Sequence, residues 1–410
     1  MRRKFFVFAV LILMALSACV KKASQVELVF FSGHGDMEQG TTELIKEYER
    51  LNPSVKITSI YNSKDYSTQF QSMITTNTLP DIAMVDQERI RDLTKMDLFL
   101  DLSDRPAATD LFDVAKAPNS VDGKLYAVSF HLQGYGLLYN PDLLKNAGID
   151  QPPRTVAELA AAGSKLRESG VTPFTSMFNE EWACDQYLLF GISPTLNARP
   201  ELAKGLTAGT VKFTDPAFRT VFDYIDVLKQ NVPEQPFSYA FGEGAGYLAQ
   251  EKAAMAVHGD WILRTALEVN SNLNLRMVGL PISNNANDPR IIVGVANGMG
   301  IIKSGKHLEE TIKFFDYLTS VESMQTISKY NHAFSPINGF DTSGLHPVYE
   351  DINIAMKNGN AIPWEWLNAA PGGVKLEAGK STQAYLNGQI SKEQVLENIQ
   401  NALDMALSGR

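Results

Sequence analysis

The sequence predicts an α/β fold on mostly parallel sheets, and three observations predict it. Strand-like and helix-like segments alternate from Val26 to Asp86. Helical periodicity dominates the middle of the chain and its end. Two later extended runs, "GKLYAVSFHLQGYGLLYN" and "RIIVGVANGMGII", look too long for one strand of a small domain and suggest chain crossing between lobes.

The elements follow in order. "VELVFF" (Val26 to Phe31) reads as a strand, and "SGHGD" as the glycine-loosened turn after it. Asp36, with Gln39 three residues on, is the expected N-cap of a helix whose apolar face holds Leu44, Ile45, Tyr48 and Leu51. "NPSVKITSIY" turns at Asn52-Pro53 into a second strand, Asp65 opens a second helix, and "LPDIAMVD" is the third strand. Sheets of this kind bind ligands beyond the carboxyl ends of their strands. The turns Ser32 to Asp36 and Asp86 to Glu88 are therefore expected to hold chemistry. Asp122-Gly123 is a hairpin signal. "PPRTVAELAAAGSKLRESG" and "HLEETIKFFDYLTS" are amphipathic helices, and Ser391 with Gln394 is a capping box opening the last one.

The first residues read as a sorting signal. Arg2, Arg3 and Lys4 precede an apolar run, Phe5 to Leu16, shorter than the roughly 20 residues of a membrane span. "LSAC" then resembles a bacterial lipoprotein box, with Cys19 as the lipidated residue, residues 1–18 as signal peptide and 19–25 as tether. An ordinary secreted protein is the other reading of the same residues. More than one acyl chain anchors a protein stably, at about 0.8 kcal/mol per buried methylene. With Cys19 lipidated, Cys184 has no disulfide partner, and it reads as an inert buried thiol. Without residues 1–18 the formal charge is −12, which argues against nucleic acid and polyanions. Hydrophobic content of 44% over 410 residues supports two or three cored domains at about 150 residues each.

Six segments, in order, resemble the family 1 extracellular solute-binding proteins, the maltodextrin-type receptors of bacterial ABC importers. They are "LIKEYERLNPSVKITSIY" with "LPDIAMVD", "DGKLYAV" with "GLLYNPDLLKNAGI", "EKAAMAVHGDWI", "VGVANGMGI", "FFDYLTSVESMQTISKYNHAFSPI" and "YLNGQISKEQVLENIQNALD". The resemblance implies a two-lobed periplasmic-binding-protein fold, two α/β lobes joined by three hinge crossings, with the ligand cleft between them. The crossings fall near Phe130 to Gly136, Gly294 to Gly298 and Ser335 to Gly339. Lobe 1 then comprises 26–130 plus 297–335, and lobe 2 comprises 131–296 plus 336–410. The implied function is capture of a sugar or oligosaccharide by hinge closure and delivery to the permease subunits of an ABC transporter. The implied protein is an extracytoplasmic, membrane-anchored monomer without cofactor, metal or catalytic residue.

The ligand-binding residues expected on this basis come from both lobes. A sugar has a C–H face that an indole covers and a hydroxyl rim that a carboxylate accepts. Asp260 beside Trp261, after Gly259, supplies both, and Asp260 is equally suited to cap the helix that follows. Trp182 and Trp364 extend the aromatic surface, with Trp364 expected to face the cleft in preference to Trp366. Lobe 1 offers His34, Asp36 and Asp86, and the crossings offer Gln133 and Asn297.

Other readings stay open at this stage. The same fold binds polyamines through Trp with Asp or Glu. A glycoside hydrolase uses carboxylates beside aromatics, although no paired acid and base, GxSxG or HExxH is present. A glycan-binding module without transport has the same fold-level support.

Overall fold

A computed structural model of the chain describes residues 25–62, 66–364 and 372–408. The leader with Cys19, as well as Asp65 and Trp366, lies outside the described residues. In chain order the strands are β1 (Val26–Ser32), β2 (Val55–Tyr61), β3 (Ile82–Asp86), β4 (Ser120–Val121), β5 (Lys124–Leu125), β6 (Gln133–Tyr139), β7 (Thr172–Phe174), β8 (Ala253–Gly259), β9 (Arg276–Val278), β10 (Ile291–Gly294), β11 (Asn297–Ile301) and β12 (Ala361–Pro363). They form two main sheets, one per lobe. The first has the order β11-β3-β1-β2, and the second β12-β10-β6-β8-β7 with β9 on β6.

The first sheet shows why the opening residues alternate as they do. β1 pairs in parallel with both β2 and β3. Phe30 and Phe31 point to opposite faces, and both are fully buried. Phe30 packs with Leu28, Ile57 and Met84, whereas Phe31 packs with Phe70, Ala83 and Val85. Helices therefore cover both faces, as a parallel sheet requires. β11 closes the sheet antiparallel to β3, with Asn297 opposite Asp86.

In the second sheet β8 lies between β6 and β7, and all seven of its residues are buried. Its small residues fit a strand covered on both sides. The predicted hairpin is present as β4 and β5. Asp122 and Gly123 have φ of 51° and 79°, the positive pair of a primed turn.

The chain passes between the sheets at places the long runs mark. Val128 still bridges Met299 of the first sheet, and Gln133 begins β6 in the second. Between β10 and β11 only Val295 and Ala296 intervene. Near the third expected passage, Phe334 bridges Leu132, and Ile337 bridges Leu111. The helix Pro347–Lys357 then packs against β9 and β12, so the chain returns to the second sheet beyond Gly339.

Two capping expectations change. The helix Glu38–Leu51 is N-capped by Met37 without a side-chain hydrogen bond, not by Asp36, which lies in a single 3-10 turn, Gly35–Met37. Ser391 does accept from the Gln394 backbone N–H at 3.2 Å, but the Gln394 side chain bonds Asn398 instead of reaching back. No described helix is long and apolar enough to cross a membrane.

Candidate functional site

A cleft of about 690 Å³ opens where the two lobes meet, and its walls are unequal. Among the described residues, only His34, after β1, and Ala296, in the β10–β11 passage, come from the side of the first sheet. The other lining residues belong to the second lobe.

Two helix faces build most of the second-lobe wall. On helix Glu181–Ala198 the lining residues are Trp182, Asp185, Gln186, Leu189 and Phe190. Steps of three and four place them on one side of a helix. The chain from Trp261 into helix Ile262–Val269 repeats the pattern with Trp261, Arg264, Thr265 and Glu268. Gln133 at the start of β6, Phe241, Trp364 just past β12, and Lys375 complete the wall.

The rings form one connected group. Trp261 lies 6.1 Å from Tyr135, 6.5 Å from Phe190 and 6.4 Å from Trp364, centroid to centroid. Trp182 lies 5.5 Å from Phe241. His258, the penultimate residue of β8, sits beneath, 5.1 Å from Trp261 and 5.8 Å from Trp182. Its Nδ1 faces the Gly259 carbonyl at 3.1 Å, and burial pushes its pKa down to about 4. The imidazole is therefore neutral near pH 7, an uncharged support for the rings.

Gly259 explains how an indole can follow this buried strand. A Cβ on Gly259 would stand 1.8 Å from the Trp261 ring, so the ring folds back over bare backbone. Gly294 plays the same part for Trp364, where a Cβ would meet Nε1 at 2.2 Å.

The expected residues separate into three groups. His34, Gln133, Trp182, Trp261 and Trp364 line the cleft. Trp182 is 38% exposed at the surface, whereas Trp364 is 5% exposed. Asp86 pairs with His34: its Oδ1 is 3.1 Å from His34 Nε2, and the Tyr66 hydroxyl donates to its Oδ2. Asp86 is therefore positioned to orient His34, and it is not among the described lining residues. The side chain of Asp36 lies outside the described residues.

Asp260 and Asn297, expected as ligand contacts, are not among the described residues that line the cleft. Asp260 is 3% exposed, and its carboxylate accepts from the Gly134 N–H at 3.1 Å. The Asp260 N–H in turn donates to the Gly134 carbonyl at 2.9 Å. Its position at the β8 end is used to clamp the start of β6. At the start of helix Ile262–Val269 the Asp260 carbonyl accepts from the Leu263 N–H at 2.9 Å, and the Trp261 N–H is among the backbone groups that bond its carboxyl. Asn297 is 2% exposed, and Ser129 donates to its carbonyl. It stands opposite Asp86 in β11, the edge strand of the first sheet, and is buried there.

Burial raises the pKa of Asp260 to about 7, against backbone hydrogen bonds that lower it. A raised native value means that the folded chain holds a proton the unfolded chain has lost, from about pH 4 upward. The stabilisation is complete below the unfolded value and is lost as pH rises through about 7. Asp260→Asn is expected to flatten the stability profile between about pH 4 and 7 by up to one proton, about 1.4 kcal/mol per pH unit. Urea unfolding of both proteins across that range checks it, and parallel profiles would show that Asp260 does not titrate there.

Sequence reasoning missed Asp185, Gln186, Phe190, Phe241, Arg264, Thr265, Glu268 and Lys375. The signal was available for six of them: the steps from Trp182 and from Trp261 already place them on the faces of those two tryptophans. Phe241 and Lys375 come from other helices and had no such mark. Cys184 is buried, and burial pushes its thiol pKa well up, which suits an unreactive side chain.

Comparison with known proteins agrees with this architecture. The family profile described as bacterial extracellular solute-binding protein matches residues 34–325. The multiple sugar-binding protein of Streptococcus mutans is 24% identical over 326 residues, 76% of each chain. The melibiose/raffinose/stachyose-binding protein MelE of Bacillus subtilis is 22% identical over 337 residues, 78% of this chain and 77% of its own. The structure of RafE in complex with raffinose superposes with a TM-score of 0.80 at 18% identity, covering 92% of this chain and 98% of that one, a likeness of fold. With the profile spanning most of its length and two lobes meeting at an aromatic cleft, the chain belongs to the bacterial extracellular solute-binding proteins.

Proposed function

We propose that this protein captures a neutral oligosaccharide in the cleft and hands it to the permease of an ABC transporter. The observation that supports this best is the aromatic wall, with Trp182, Phe190, Phe241, Trp261 and Trp364 facing one space. Indole and phenyl faces suit the C–H faces of sugar rings, and the polar side chains between them suit hydroxyls. The volume of about 690 Å³ lies within the roughly 300–1,000 Å³ of small-molecule sites. Sugar binding stated for the relatives in Streptococcus mutans and Bacillus subtilis points the same way.

The ligand first stacks on the second lobe, and the first lobe then closes with His34 held by Asp86. Closure takes place at the passages near Phe130 to Gly136, Gly294 to Gly298 and beyond Gly339. The protein acts extracytoplasmically as a monomer, tethered through lipidated Cys19, and it releases its ligand unchanged.

The experiment is a thermal-shift screen with mono- and oligosaccharides. A ligand at a hundredfold excess over its Kd adds about 2.7 kcal/mol to stability and raises Tm. The expected result is a shift with one group of neutral oligosaccharides and no turnover of a labelled one. Cleavage of the labelled sugar would establish an enzyme, and a shift with spermidine alone would establish a polyamine receptor.

A further inference from the structure

Asp185 and Gln186 are consecutive on helix Glu181–Ala198, and both reach the cleft one turn after Trp182. Among the described residues, Gln186 Oε1 is buried with no hydrogen-bond partner. On another wall, Trp364 Nε1 is also buried without one among the described residues. Groups of this kind are rarely left unmade in a native protein, because an unmet donor or acceptor loses its hydration for nothing in return. In a binding cleft the missing partner is the ligand.

We infer that Asp185 and Gln186 are the specificity-determining pair of this cleft, reading hydroxyl donors on an uncharged ligand. The inference rests on the carbohydrate reading above. Asp185 and Gln186 Oε1 accept, while Trp364 Nε1 donates. A hydroxyl does both. An ammonium group can only donate, and an ionised phosphate or carboxylate mainly accepts. The charged side chains of the lining are Arg264 and Lys375 with Glu268, and Asp185 when ionised, so it holds no excess of negative charge to attract a polyamine. The pair therefore selects a polyhydroxylated neutral ligand over a polyamine or an anionic solute.

A dependence on pH follows from the same placement. Burial pushes the Asp185 carboxyl up to about 8, and only the charge of Lys375 opposes it. Among the described residues, the other titratable groups around it are Cys184 and Glu181 on its own helix with Glu180 just before it, Tyr135 on β6, Arg264 and Glu268 on the second helix face, and His34 from the first lobe. A carboxylate accepts from hydroxyls more strongly when ionised. If only the ionised form binds well, apparent affinity scales with its fraction, which falls about tenfold from pH 9 to pH 7 for a pKa of about 8.

The test is isothermal titration of the full chain, wild type, Asp185→Asn and Gln186→Leu. Raffinose, stachyose, maltotriose, chitotriose and spermidine serve as ligands at pH 7 and pH 9. Against any sugar that the wild type binds, each variant is expected to lose at least tenfold, and the wild-type gain at pH 9 should vanish in Asp185→Asn. Asp185→Asn is nearly isosteric, so it decides the matter if Gln186→Leu fails to fold. Sugar affinities within twofold of wild type in Asp185→Asn would overturn the pair while leaving the carbohydrate reading intact. Spermidine binding tighter than every sugar would overturn the selection. A folded wild type that binds none of the sugars would remove the carbohydrate reading and the pair with it.

Discussion

Trp261→Ala is expected to weaken oligosaccharide binding by well over tenfold, the largest loss from any single ring in the cleft. If the indole takes ~100 Å² of apolar ligand and protein surface out of water, its contribution is roughly 2.5 kcal/mol, or about seventyfold in Kd. Position adds to area. Trp261 touches Tyr135, Phe190, His258 and Trp364, so its removal also frees the neighbours that shape the wall. Trp182, 38% exposed and bonded through Nε1 to Glu180 Oε2 at 3.1 Å, is less enclosed, and its alanine variant should lose less. Titration calorimetry against a sugar found in the thermal screen provides the comparison. Equal affinities for wild type and Trp261→Ala would take Trp261 out of the site.

Gly259→Ala should abolish binding almost as fully, although a single methyl group is added and no ligand contact is removed. The new Cβ would lie 1.8 Å from Cζ3 and 2.1 Å from Cη2 of the Trp261 ring, separations that no packing permits. Trp261 is only partly buried, so the ring can swing away and leave the fold standing. Overpacking of this kind costs about 1–3 kcal/mol of stability. The double variant Gly259→Ala with Trp261→Ala removes the clash. It should regain most of that stability without regaining affinity, a non-additivity that a double-mutant cycle measures. Wild-type affinity in Gly259→Ala would mean that Trp261 does not need its present position to bind.

The tryptophans and the strand ends were legible because each leaves a local mark. An indole outside core periodicity, beside glycine and a carboxylate, has few structural explanations, and Trp182, Trp261 and Trp364 all line the cleft. Asp260 shows where that logic fails. From the sequence its carboxylate is a ligand contact or a helix cap. In the fold it satisfies the Gly134 N–H, a residue 126 positions earlier, because β6 and β8 are antiparallel neighbours. Asp86 was legible as a strand-end residue, but its orientation toward His34 and Tyr66 depends on how the turn after β1 meets the helix Tyr66–Thr76.

By itself the sequence determined the alternation of strands and helices, the faces that each buries, the Asp122-Gly123 hairpin and the runs that pass between sheets. These depend on periods of two and 3.6 and on local dihedral preferences, which neighbours in the chain decide. Only the tertiary structure decided which polar side chains face the cleft. Asp185, Gln186 and Lys375 enter it, whereas Asp260 and Asn297 are enclosed elsewhere. Whether a polar group meets ligand or backbone depends on strand pairing across more than a hundred residues, and no local period records that.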